Sequence, residues 1–62
     1  MRDNPTRVTI RKYLGDDAYS WAMFVNGRVT YTGLCRREAQ WRRDVARANV
    51  AAGRRWNEAR ST

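Results

Sequence analysis

The sequence predicts an α+β domain: a three-stranded antiparallel meander with one C-terminal helix packed on one face, in the order βββα. Three observations carry this. Residues 6–14 alternate apolar and polar side chains. Two β-rich runs flank Asn26-Gly27, a strong short-range hairpin signal. After Gly33, aromatic and aliphatic residues recur at helical spacing. Three strands and a helix make two layers around a single core.

The first strand runs from Thr6 to Leu14, with Val8 and Ile10 on one side and Arg7, Thr9, Arg11 and Tyr13 on the other. Asn4-Pro5 biases residues 1–5 to an extended arm. Gly15-Asp16-Asp17 reads as a turn, since the adjacent acids have no third ligand that would make them a metal site.

Tyr19–Val25 and Arg28–Thr32 form the second and third strands, and the loop between them sets which side chains share a face. A two-residue turn sets Val25 against Arg28 and leaves both faces half apolar. A three-residue Val25-Asn26-Gly27 loop, with Gly27 in a bulge, sorts the hairpin more cleanly. It puts Tyr19, Trp21, Met23, Val29 and Tyr31 inside, and Ser20, Ala22, Phe24, Arg28, Thr30 and Thr32 outside. The bulged loop is therefore expected.

Gly33 closes the sheet, and residues 6–33 hold all three strands. Cys35-Arg-Arg-Glu38 has capping-box spacing with Cys in the place of Ser or Thr, so Glu38 is the main signal for the helix start. The helix spans 35–58, with Trp41, Val45, Ala48, Ala52, Trp56 and Ala59 along one stripe. Gly53 sits inside it or stops it. Residues 60–62 are a polar tail.

At 62 residues the chain buries one small core, and its length admits a homodimer or order gained on binding. Thirteen basic residues against six acidic give a net charge of +7, which points to a polyanionic partner. All the basic residues but Lys12 are Arg. Arg forks onto phosphate and guanine, but a GC-rich genome writes the same bias, so it adds little to the charge itself. Without His, and with Cys35 alone, the chain has no Cys/His metal cluster, internal disulfide or histidine base. No metal, cofactor or catalytic set is expected, and the chain reads as a non-enzyme. Its apolar runs are too short for a membrane span and its first residues lack a signal-peptide core, so the cytoplasm is the expected compartment.

Two surfaces are candidates. The open sheet face collects Arg7, Thr9, Arg11, Tyr13, Phe24, Arg28, Thr30 and Thr32, with no acid among them. A sheet can enter the DNA major groove, where Arg reads guanine and Thr touches phosphate. Tyr13 and Phe24 could instead stack on unpaired bases. The second surface is a helix stripe of Arg36, Arg43, Arg47 and Arg54 with Gln40. It reads as a phosphate clamp or as a solvated face with local pairs, Glu38 with Arg42 and Asp44 with Arg47. Trp21, Trp41 and Trp56 read as core, and Cys35 as structural.

Trp21-Ala-Met-Phe-Val25, Tyr31-Thr-Gly33, Arg37-Glu38-Ala39, the run Ala46 to Gly53 and Asn57 together resemble the AP2/integrase-like DNA-binding superfamily. The resemblance covers roughly residues 7–57. It implies a three-stranded sheet backed by a helix, with the sheet in the major groove, and Arg7, Arg11 and Arg28 match the contact strands. It also implies a bacterial or phage accessory protein that binds DNA in preference to RNA. The alternative from another class is a phage-encoded protein that binds and inhibits a host protein, with Phe24 and Tyr13 at the interface and Arg at its rim.

Overall fold

A computed structural model describes residues 6–58; the expected arm at 1–5 and tail at 60–62 lie outside the described residues. The elements are β1 (Val8–Lys12), β2 (Trp21–Val25), β3 (Arg28–Leu34) and α1 (Arg36–Ala51). The sheet is antiparallel in the order β1-β2-β3, and α1 packs on it in the expected βββα arrangement. The first two strands are shorter than the sequence pattern predicts. The third is longer, passing Gly33 to reach Leu34.

The hairpin turn has two residues, not three: Val25 pairs with Arg28 and Phe24 with Val29. Asn26 (φ 54°) and Gly27 (φ 84°) both take positive φ, as a type I′ turn requires, and its twist matches that of the strands. Asn26 also receives the Arg7 N–H on its side-chain oxygen at 2.9 Å and donates its own N–H to the Arg7 carbonyl at 2.8 Å. These bonds hold the turn against the start of β1. The extra residue expected in the loop appears one step later, as a bulge in β3. Phe24 pairs with Val29, but Met23 pairs with Tyr31. Between them the Thr30 hydroxyl donates to the Met23 carbonyl at 3.0 Å. A second shift near Gly33 sets Trp21 against Leu34.

The core consists of Val8, Met23, Val25 and Ala46, with Ile10 and Trp56 packed against it. Each large side chain among these contributes about 1.5–3 kcal/mol by leaving water. The helix turns Ala39, Ala46 and Asn49 to the sheet, not the expected stripe of Trp41, Val45, Ala48 and Ala52. Trp41 is 60% exposed. The reason is volume: Val8, Met23 and Val25 already fill the space above the sheet, so the helix must present its smallest residues to approach closely. The bulky indole is turned to the flank. At the helix start the thiol works as a cap after all, Cys35 Sγ accepting from the Glu38 N–H at 3.4 Å.

The helix ends at Ala51 instead of running to 58. Gly53 takes φ 79°, with the Arg54 N–H bonded to the Asn49 carbonyl (2.8 Å) and the Gly53 N–H to the Val50 carbonyl (3.0 Å). This pair of bonds is a Schellman motif, which needs a left-handed residue at Gly53. The chain then folds back. Buried Asn49 donates its side-chain amide to the carbonyls of Trp56 (3.0 Å) and Glu58 (2.9 Å) and so seats Trp56 on the core. Trp56 meets Tyr31 edge-on at 6.4 Å.

The hydrogen-bonded turn falls at Asp17–Ser20, later than the expected Gly15-Asp16-Asp17, with the Ser20 N–H bonded to the Asp17 carbonyl at 3.2 Å. Tyr19, expected inside on the second strand, lies in this turn and is 67% exposed. The Asp17 carboxylate accepts from the Ser20 hydroxyl (2.7 Å) and the Tyr19 N–H (3.0 Å), and Lys12 Nζ donates to the Asp16 and Asp17 carbonyls.

Gly53→Ala is expected to cost about 1–2 kcal/mol from left-handed strain alone, because a Cβ there meets open space. Asn49→Ala should cost about 1–3 kcal/mol. Chemical denaturation measures both, and Asn49→Ala should also shift the tryptophan emission as Trp56 is released. The Asp17 carboxyl is held below its ordinary range first by the Ser20 hydroxyl and then by the Tyr19 N–H. The loop's contribution to stability is therefore present above the ordinary Asp range and lost as pH falls through the lowered value. An NMR titration of the Asp17 carboxyl should show it lowered, and raised again in Ser20→Ala.

Candidate nucleic-acid interface

β1 alternates, so Thr9 and Arg11 point away from the row that Val8 and Ile10 send into the core. Arg7 precedes them on the same side. All three are exposed, and Arg7 and Arg11 stand roughly 13 Å apart at the usual rise of a strand. On β2 the same side carries Ala22 and Phe24, and on β3 it carries Val29 and Thr32.

Phe24 lies on this face, away from the helix, yet it is only 4% exposed. The Arg11 guanidinium covers its ring at 4.2 Å from the centroid, and Tyr13 meets it edge-on at 5.5 Å. Phe24 therefore cannot stack on an unpaired base. It is a platform that holds Arg11 in place by a cation–π contact while Arg11 remains exposed. Half-buried Tyr13 completes the platform.

The other expected contact residues divide. Thr32 follows Tyr31 back to the open side and is exposed. Arg28 is not on this face: pairing with Val25 puts it on the helix side of the sheet. Thr30 is half-buried and its hydroxyl is committed to Met23. Val29, expected inside, replaces them on the open face at 39% exposed. All of these changes follow from moving the extra residue from the turn to Thr30.

The helix stripe does not form a free row of cations. Arg36 lies over the Trp21 ring at 5.9 Å. Arg43, not Arg47, pairs with Asp44, at 3.1 Å. Arg47 reaches across to the Val8 carbonyl at 3.0 Å and ties the helix to the outer edge of β1. Arg54 approaches the Asn49 side-chain oxygen at 3.4 Å. The Glu38–Arg42 pair forms as expected at 3.1 Å. These two are the carboxylate–guanidinium pairs among the described residues, so most of the basic excess is not neutralised within the fold.

Trp41 and Tyr31, both expected inside, are surface groups beside Arg42. Arg42 lies over the Tyr31 ring at 4.4 Å, Tyr31 is 38% exposed, and Trp41 stands on the same flank of the helix. Their one sequence signal is the Glu38–Arg42 spacing, which puts a cation beside Trp41. Among the described residues no helix is long and apolar enough to cross a membrane. Comparison with family models, curated proteins and solved structures returns no match.

Arg47 is expected to behave as a structural residue. Arg47→Ala should lower stability by about 1 kcal/mol in chemical denaturation, whereas Arg37→Ala, at an exposed position on the first turn, should leave the midpoint unchanged.

Proposed function

We propose that this chain is a small non-enzymatic DNA-binding protein whose open sheet face carries the interface. The observation that supports this best is the exposed row Arg7, Thr9, Arg11 on β1, with Arg11 held over Phe24. A guanidinium already fixed by a ring loses less freedom on forking onto a guanine edge or a phosphate. A major groove about 12 Å wide accepts a two-stranded ribbon, and the row lies along such a ribbon. Thr32 and Val29 extend the face with a hydroxyl and a methyl surface suited to phosphate and to the thymine methyl. The net charge of +7 supplies the sequence-independent attraction.

This reading matches what the resemblance to the AP2/integrase-like superfamily implies for a sheet backed by a helix. An accessory role in a bacterial or phage setting, in the cytoplasm, goes with it. Arg28, Thr30 and Arg47 leave the interface, and Phe24 becomes its support.

Fluorescence anisotropy with a duplex probe across a salt series tests the proposal. Affinity should fall steeply with salt. Arg7→Gln with Arg11→Gln should weaken binding and make the log–log salt slope shallower by about 2, while the thermal midpoint moves little because the glutamine stem still covers part of Phe24. No duplex binding at low salt, or an unchanged slope in the double variant, rejects it.

A further inference from the structure

On the other side of the sheet a groove of about 360 Å³ opens between α1, β3 and the returning C-terminal segment. Met23 and Ala46 line it together with the rings of Tyr31, Trp41 and Trp56, and Arg42 lies at its side. A volume of this size falls within the range of small-ligand sites. We infer that the groove is a second binding site, for an unpaired nucleobase and its flanking phosphate in single-stranded nucleic acid.

The chemistry of the groove selects this occupant. Trp41 is 60% and Tyr31 38% exposed, an unusual outlay of aromatic surface for so small a domain. Flat aromatic surface beside a cation is what base stacking requires, and each such stack tolerates any base. Arg42 Nε is taken by Glu38, and no other described residue takes its outer nitrogens. They can fork onto a phosphate beside a stacked base. Among the described residues the acid lining the groove is Glu58, which accepts the Arg55 N–H at 3.3 Å. An organic cation is a poorer fit, because Arg42 already covers Tyr31 at 4.4 Å and would repel it. An extended peptide adding a strand at β3 is also disfavoured, since the shifts at Thr30 and near Gly33 break the regular ladder of that edge. Trp56 contributes because Asn49 seats it there. The groove is on the opposite side from Arg7 and Arg11, so the inference stands apart from the duplex reading.

Titration of the whole chain with a labelled oligothymidylate, and with an abasic oligomer of equal length and charge, tests the site. The oligothymidylate should bind with quenching of tryptophan emission, and the abasic strand roughly tenfold more weakly. Trp41→Ala should weaken oligothymidylate binding by a similar factor, Trp41→Phe should retain most of it, and duplex affinity should be unchanged in both. Trp41 is exposed, so both variants should keep the wild-type thermal midpoint. The inference is overturned if the abasic strand binds equally well, if Trp41→Ala binds as wild type, or if no single strand binds. It is also overturned if an acidic peptide competes as effectively as the oligothymidylate, which would make the groove a protein site. Arg7→Gln with Arg11→Gln separates the two surfaces: duplex affinity should fall while base-dependent quenching persists.

Discussion

The bulge at Thr30 decides on which side of the sheet each later residue of β3 falls. A type I′ turn at Asn26-Gly27 alone would send Tyr31 to the open face with Val29. Instead the strand advances by one extra residue, the Thr30 hydroxyl closes onto the Met23 carbonyl, and Tyr31 crosses to the helix side. A change of one residue in register exchanges faces. The open face thereby keeps Val29 beside Phe24, and the other side gains the ring that Arg42 and Trp56 meet.

The second constraint is the end of the helix. A chain of this size buries little apolar surface, and the core of Val8, Met23, Val25 and Ala46 is small. Trp56 adds to it only because the backbone reverses at Gly53 and Asn49 holds the returning carbonyls. One buried amide thus couples the helix, the C-terminal segment and the wall of the groove. Such a polar group is stabilising only while its partners are in place, so the segment should order as a unit.

Arginine has three roles in this structure. Arg47 bonds a β1 carbonyl that no neighbouring strand pairs, and Arg43 and Arg42 pair with acids. Arg11 and Arg36 lie over aromatic rings, while Arg7, Arg28 and Arg37 are exposed. Sequence spacing sorted them by helix face and strand parity, but their roles depend on what lies across the gap.

The order of elements, the position of a turn at Asn26-Gly27, the Cys35–Glu38 helix start and the inward placement of Val8, Ile10 and Met23 were legible in the sequence; the two-residue length of the turn, which sends Val25 into the core, was not. Local propensity and periodicity act over a few residues, so they are written locally. The open-face positions of Arg7, Thr9, Arg11 and Thr32 were legible for the same reason. The sequence left Gly53 undecided between helix interior and helix stop, because the choice rests on Asn49 and the returning Trp56. It misplaced Arg28, Val29 and Trp41. Their positions depend on where a bulge is absorbed and on how much volume the facing layer leaves, and both are settled only when sheet and helix pack together.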